Sequence, residues 1–294
     1  MKIQDVIAPE LVPDLIDAKA VGIDIGSRAA KAVLLNKGEI FTAIIPSGIS
    51  SQESAKEVLE ELFEKSGLSL DDIDYIVGTG YGRISLSFEK TPNEVVTEIS
   101  CHAMGAHYLN SNTRTIIDIG GQDSKAIKVD PESGKVLEFI MNDKCAAGTG
   151  RFLEKVANLL DIRLEELGDV AVKATTASLI SSQCVVFAES EVISLKAKGE
   201  KRENIAAGIH IATARRIRNL LNRIGMEPTI IFSGGVSNNI GMKLALEEVL
   251  GVKIGETKLD TTFGGALGAA IYAHKYALSG HVAVSSQTVL QAVN

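Results

Sequence analysis

The sequence is poor in proline and in long apolar runs, and each shortage excludes a class of protein. Only six of its 294 residues are proline, while 45% are hydrophobic and 23% charged, a balance typical of globular proteins that leaves little room for a disordered tail. No stretch approaches the roughly 18 uninterrupted apolar residues of a membrane span. Acidic residues interrupt the first twenty positions, which therefore do not resemble a signal peptide. We expect a soluble, cytoplasmic protein without a membrane partner.

Basic charge and cysteine are also scarce. The formal net charge is -7, which argues against a nucleic-acid partner, because such proteins need a basic face to neutralise phosphates. Three cysteines cannot form a closed set of intrachain disulfides. In a reducing cytosol, Cys101, Cys145 and Cys184 are better interpreted as thiols or metal ligands. We expect Cys101 to be a buried small hydrophobe, the usual state of a lone cysteine.

What the sequence does contain is an internal repeat at an offset of 115 - 21 = 94 residues. Residues 21–35, VGIDIGSRAAKAVLL, align with residues 115–129, TIIDIGGQDSKAIKV, with six identities in fifteen positions. Each copy has an apolar strand that ends in Asp and Gly, a short polar turn and a second apolar strand. This is the pattern of a β-hairpin. The repeat suggests duplication, with a similar hairpin at the beginning of each of two related lobes.

Helix and strand patterns alternate between and after the two hairpins. Apolar residues at helical spacing predict helices at 52–66, around 152–160, over 205–224 and from about Gly241. Apolar runs predict strands at 40–45, 73–77, near 137–141 and at 229–232. This alternation predicts α/β layers with mixed sheets. We expect an N-terminal extension at 1–20, lobe I at 21–110 and lobe II at 111–263, with a C-terminal helix at about 264–280 that can return to lobe I.

Both hairpin turns have the residues of a phosphate site. A glycine after a strand lets backbone N–H groups approach an anion, and an Asp at the strand end can hold Mg²⁺ directly or through water. One Asp-x-Gly alone is as well explained by a plain hairpin turn, and the repeat favours the phosphate site. The candidates are Asp24, Gly26, Ser27 and Lys31 in the first copy and Asp118, Gly120, Gly121, Gln122 and Asp123 in the second.

Two later glycine-rich segments are weaker candidates for nucleoside binding. Segment 230–241, IIFSGGVSNNIG, has Gly234 and Gly235 at the end of a strand, where bare backbone can lie against adenine or ribose, and Asn238 follows. In segment 261–275, Gly264, Gly265 and other small residues recur at helical spacing, which tight helix packing explains at least as well. The sequence has no Walker GxxxxGK[ST] motif and no GxGxxG after a strand, which disfavours P-loop and classical dinucleotide folds.

The order of these motifs over residues 21–275 resembles that of the sugar kinase, heat-shock chaperone and actin superfamily. The resemblance implies a two-lobed actin-like ATPase fold of the α/β class, with a duplicated mixed-sheet core that binds ATP or ADP. It implies that Asp24 and Asp118 organise Mg²⁺ and that Gln122 and Asp123 border the γ-phosphate and the attacking water. One departure is at residues 29–30, where two alanines replace the Ser or Thr of many relatives. Ser27 could supply the missing hydroxyl.

Two segments that contain cysteine resemble one particular family within this superfamily. In MNDKCAAGTGRFLEKVA (141–157), Cys145 precedes a glycine-rich turn that begins a helix, and in SSQCVVFAESEVISL (181–195), Cys184 precedes another predicted helix. We expect free N–H groups at the first helix to stabilise a thiolate at Cys145. Along their full length, both segments resemble the activators, also called component A, of 2-hydroxyacyl-CoA dehydratases and the related ATPase subunits of benzoyl-CoA reductases.

That resemblance implies a cofactor and partners. It makes Cys145 and Cys184 ligands of one 4Fe-4S cluster per homodimer, and two thiolates from each chain agree with the four that such a cluster usually takes. It implies a ferredoxin or flavodoxin as electron donor, and an iron–sulfur dehydratase or reductase as acceptor in a step driven by ATP. The alternatives are a small-molecule kinase of the same fold, with structural cysteines, and a nucleotide-sensing adaptor without turnover.

Overall fold

The first hairpin of the repeat lies at the centre of a five-stranded mixed sheet. The structure is a computed structural model that describes residues 1–82, 88, 91–181 and 184–281. The strands are β1 (Lys19–Ile25), β2 (Ala29–Asn36), β3 (Glu39–Pro46), β4 (Tyr75–Gly80) and β5 (Asn93–Val95), in the order β3-β2-β1-β4-β5. The β1, β2 and β3 strands pair antiparallel, whereas β4 is parallel to both β1 and β5. The helices α1 (Ser51–Ser66) and α2 (Glu98–Leu109) follow β3 and β5.

The second hairpin lies in a four-stranded sheet with the same pairing. Its strands are β6 (Thr115–Ile119), β7 (Ser124–Val129), β8 (Val136–Asn142) and β9 (Ile230–Ser233), in the order β8-β7-β6-β9. As in the first sheet, the hairpin is antiparallel and the last strand is parallel to the first. The remaining helices are α3 (Gly150–Leu159), α4 (Leu167–Val172), α5 (Val185–Ala197), α6 (Arg202–Ile224), α7 (Ile240–Leu250) and α8 (Gly264–Ser279). The predicted mixed sheets and duplicated core are confirmed.

The chain divides into two units, and the last helix belongs to the first of them. Unit 1 comprises Met1–Ser111 and the chain from Phe263 onward, and unit 2 comprises Asn112–Thr262. Within unit 1, α8 packs against β1 and α2. A Cβ at Gly22 would lie 2.1 Å from the carbonyl oxygen of Ala266, and one at Gly105 would lie 2.0 Å from that of Gly264. The small residues of α8 thus permit backbone-close packing.

The helix at 52–66 follows its predicted amphipathic pattern, and the helix predicted at 205–224 lies within α6. α1 buries Ala55, Val58 and Leu62, and it is followed by Gly67, whose φ of +70° suits a glycine C-cap. The first twenty residues, for which the sequence predicts no fold, form two short 3-10 helices (Ile3–Asp5 and Pro9–Leu15) and the beginning of β1. Among the described residues, no helix is both long and apolar enough to cross a membrane.

Candidate nucleotide and cysteine sites

In unit 1, the hairpin register places Asp24 directly opposite Lys31. The Lys31 Nζ atom lies 3.4 Å from Asp24 Oδ2, and the two side chains are only 10% and 5% exposed. The backbone N–H of Gly26 donates to the carbonyl oxygen of Ala29 and closes the turn. Ser27 is half-buried in that turn. The hairpin therefore presents a nearly buried carboxylate–ammonium pair behind a turn whose small residues leave the backbone accessible.

In unit 2, the matching pair is Asp118 and Lys125, and it has more partners. The Lys125 Nζ atom lies 3.0 Å from Asp118 Oδ2 and 2.9 Å from Asp123 Oδ2. The Ser233 hydroxyl donates to the other oxygen of Asp118 at 3.1 Å. At offset 94, Asp123 corresponds to Ala29 of the first hairpin, so the first site has no carboxylate at this position. Gln122 is exposed in the turn, between half-buried residues.

A glycine at the end of the parallel strand lies against the aspartate in each unit. Gly80 has a φ of +86°, and Gly234 has a φ of +87°. A Cβ at Gly80 would lie 2.3 Å from Asp24 Oδ1, and one at Gly234 would lie 2.5 Å from Asp118 Oδ1. Gly234 is among the residues predicted from the sequence, whereas Gly80 is not. A sequence pattern could have found Gly80. Thr79-Gly80 and Ser233-Gly234 are both a hydroxyl residue and a glycine after an apolar strand, and they repeat at an offset of 233 - 79 = 154 rather than 94.

The other predicted nucleoside residues have different environments. Gly235 and Asn238 are exposed, and the Asn238 amide donates to Asp260 at 2.7 Å. Gly265 faces the first hairpin, because a Cβ there would lie 3.0 Å from Asp24 Oδ2. Gly264 lies instead in the close contact between α8 and α2. A nucleotide role for these residues remains a prediction.

Cys145 lies half-buried in the loop between β8 and α3, which its own hydrogen bonds hold in shape. The Asn142 side-chain amide donates to the carbonyl oxygens of Cys145 and Ala147 at 2.8 and 3.1 Å. The Thr149 hydroxyl donates to the carbonyl oxygen of Ala146 at 2.6 Å. The guanidinium of Arg216, on α6, donates from Nη2 to Cys145 Sγ at 3.3 Å.

The first turn of α3 is hydrogen-bonded to the predicted phosphate turn. The N–H groups of Gly150 and Arg151 donate to the carbonyl oxygens of Gly120 and Gly121, each at 2.9 Å, and the next two N–H groups of the helix donate to Thr149. The expectation that Cys145 lies beside free N–H groups of this helix is therefore wrong, since all four donors of its first turn are used. Instead, the turn at residues 120–121 is joined directly to the beginning of α3, the helix that follows the cysteine loop.

Cys184 is exposed and is the N-cap residue of α5. Lys155 on α3 and Glu189 on α5 form an ion pair at 2.6 Å. Residues 182–183 of the predicted cysteine segment lie outside the described residues. Val186 and Phe187, which follow the cysteine, are 64% and 66% exposed. Cys184 thus lies on an accessible apolar surface. Cys101, by contrast, is completely buried in α2, as expected for a small core residue.

The model of the BadF/BadG/BcrA/BcrD ATPase family matches residues 21–273. The chain belongs to this family. The activating ATPase of (R)-2-hydroxyglutaryl-CoA dehydratase from Acidaminococcus fermentans is 44% identical over 259 residues, which are 87% of this chain and 97% of that protein. The activator of lactoyl-CoA dehydratase from Anaerotignum propionicum is 45% identical over 259 residues, or 87% and 98% of the two chains.

A solved structure of a family member extends the match to the fold. It is the activator of the 2-hydroxyisocaproyl-CoA dehydratase from Clostridium difficile with bound ADPNP. Its TM-score is 0.83 at 42% identity, and the match covers 89% of this chain and 96% of that one. The predicted actin-like ATPase fold is thereby confirmed.

Proposed function

We propose that this chain is an ATP-hydrolysing electron-transfer activator. Two copies would share a 4Fe-4S cluster and pass an electron to a partner iron–sulfur dehydratase or reductase, after reduction by a ferredoxin or flavodoxin. The observation that supports this most strongly is the pair of hydrogen bonds from Gly150 and Arg151 to the turn at residues 120–121. A nucleotide that moves this turn would move the N-terminus of α3, five residues after Cys145.

The cysteines fit a cluster shared between two copies. Cys145 is half-buried and Cys184 is exposed, whereas Cys101 is enclosed in unit 1. Each chain therefore offers two thiols to a cluster that usually takes four, and a second copy completes the set. When bound, such a cluster supplies a one-electron carrier. The apolar side chains of Val186 and Phe187 beside Cys184 suit a surface that a second copy covers.

The charged residues of both hairpins are the proposed ligands of the nucleotide and its metal. Asp24 and Asp118 would organise Mg²⁺, and Gln122 and Asp123 would border the γ-phosphate and the attacking water. Buried lysines already compensate both aspartates, which limits the cost of burying the carboxylates before a metal arrives. Family membership supports ATP hydrolysis, and the relatives named as dehydratase activators support a dehydratase or reductase partner.

The decisive experiment measures iron and acid-labile sulfide per dimer after anaerobic reconstitution. We expect about four iron atoms per dimer, lost in Cys145→Ala and in Cys184→Ala and kept in the control Cys101→Ala. Reduced protein should then transfer electrons to an iron–sulfur acceptor with ATP but not with ADP. Absence of iron from the reconstituted wild-type protein would contradict the proposal and favour a small-molecule kinase, to be tested with a panel of sugars.

A further inference from the structure

The side chain of Arg216 donates a hydrogen bond to the Cys145 sulfur. It lies on α6, 71 residues further along the chain, and its Nη2 atom is 3.3 Å from Cys145 Sγ. The N–H groups of the first turn of α3 donate to other carbonyl oxygens. These N–H groups are therefore not available to the sulfur, whereas the positively charged guanidinium of Arg216 donates a hydrogen bond to it.

The packing of the cysteine loop holds Arg216 in this position. Gly148 has a φ of +89°, and a Cβ there would lie 3.1 Å from the Cδ atom of Arg216. The aliphatic stem of the arginine thus lies across the bare face of the glycine, and the planar guanidinium projects past it to the sulfur. Such an arrangement limits the conformations available to the side chain.

Arg216 and a second arginine line the same cavity of unit 2. Arg216 lines a cavity of about 300 Å³ together with Gly148, Phe152, Thr213 and Arg215, and none of the described residues that line it is acidic. Arginine remains protonated at every physiological pH, so the charge is permanent.

We infer that Arg216 is a positioning residue that raises the electron affinity of the cluster by compensating negative charge at Cys145. The inference rests on the proposed function, because it requires Cys145 to be a cluster ligand. A thiolate-ligated cluster becomes more negative when it accepts an electron, and hydrogen bonds to sulfur and nearby charge set its reduction potential. One arginine in each chain would act on the shared cluster.

The test compares Arg216→Met, Arg216→Lys and the control Arg218→Met, which removes an exposed arginine from the same helix. Reconstituted dimers are assayed for iron, titrated with a reductant under electron paramagnetic resonance, and examined by resonance Raman for the Fe–S(Cys) stretch. At a fixed solution potential, we expect the ratio of reduced to oxidised cluster to fall about tenfold in Arg216→Met, a shift of about 59 mV for one electron. The ratio should fall less in Arg216→Lys, and in the control it should equal that of the wild type.

The outcomes separate the inference from the proposed function. An unchanged potential and stretch in Arg216→Met, with the iron retained, would overturn the inference alone. An equal change in the Lys and Met variants, or loss of the cluster from both, would assign Arg216 to loop packing and overturn it too. Loss of the cluster from Arg216→Met but not from Arg216→Lys would support the inference, because only the methionine removes the positive charge beside Cys145. Wild-type protein that binds no iron would overturn both.

Discussion

The Nζ atom of Lys125 lies 3.0 Å from Oδ2 of Asp118, and the two side chains are only 2% and 1% exposed. Asp123 adds a second carboxylate at 2.9 Å. In the matching hairpin, Lys31 has Asp24 at 3.4 Å and no carboxylate in the place of Asp123. The two hairpins thus share a backbone but differ in charge, and one lysine in unit 2 compensates two acids.

Removing this lysine should cost much of the stability of the protein. In Lys125→Met, two carboxylates lose their compensating charge, and breaking a buried pair in this way costs about 3–5 kcal/mol. We expect a smaller loss of unfolding free energy in Lys31→Met, where one carboxylate is affected. Urea denaturation measures both. Lys56→Met, which removes an exposed ion pair with Glu60, should change stability by less than about 1 kcal/mol. Equal losses at Lys125 and Lys56 would contradict the prediction.

Replacement of Gly234 by alanine should destabilise the protein more than the same replacement at another glycine with a positive φ. Gly251 has a φ of +69°, and a Cβ there would meet nothing within 4 Å, so Gly251→Ala should cost about 1–2 kcal/mol from the backbone alone. A Cβ at Gly234 would also collide with Asp118 Oδ1 and the carbonyl oxygen of Ile119, both at 2.5 Å. Gly234→Ala should therefore unfold at lower denaturant concentration. If it folds, calorimetry should find ATP binding weakened at least tenfold.

The contact between α3 and the turn at residues 120–121 can be tested at Gly150. A Cβ there would lie 3.2 Å from the Gly120 carbonyl oxygen and 3.3 Å from Val236, and overpacking of this kind costs about 1–3 kcal/mol. If this contact transmits the effect of nucleotide binding to the cysteine loop, ATP should change the alkylation rate of Cys145 in the cluster-free wild type. The rate should not change with ATP in Gly150→Ala. Mass spectrometry resolves the modified cysteine. Gly199→Ala, where a Cβ meets nothing within 4 Å, should retain the effect.

Two buried histidines should make the protein sensitive to mild acid. Burial lowers the pKa of His210 and of His274 below the ordinary value of about 6.5. The unfolded chain then binds protons more readily than the folded one, so stability should decline as the pH falls below about 6.5. The slope is at most about 1.4 kcal/mol per pH unit for each histidine. Denaturation at several pH values should find a shallower slope in His210→Gln than in the wild type, and an unchanged slope would contradict the prediction.

Local patterns in the sequence predicted many of the helices and strands, whereas an element buried on all sides was missed. α1 and the helix at 202–224 have a polar face, so their apolar residues recur with a helical period. Every residue of α2 from Cys101 to Leu109 is buried, and such a segment has no polar face from which a period can be read. β4 begins at Tyr75 and ends at Gly80, later than the predicted 73–77, and its last three residues include two glycines, which are depleted in strands and hide its end in the sequence.

In the candidate sites too, contacts between residues close in sequence could be predicted, whereas contacts between distant residues could not. The Asp24–Lys31 pairing follows from a hairpin whose length fixes its register, and the repeat extends it to Asp118 and Lys125. The contact between Arg216 and Cys145 joins residues 71 positions apart, and no spacing rule predicts it. The state of the N–H groups of α3 depends on where the turn at residues 120–121 packs, so the expectation that they are free could be corrected only by the structure.

The return of α8 to unit 1 sets an order for the synthesis of the protein. Asn112–Thr262, all of unit 2, leave the ribosome before any residue of α8 does. β1, near the beginning of the chain, receives its covering helix only when Gly264–Ser279 have been made. A chain truncated before Gly264 retains every residue of unit 2, but it exposes the face of the first sheet at Gly22. Quality control that detects exposed apolar strands would therefore recognise incomplete chains at their N-terminal sheet.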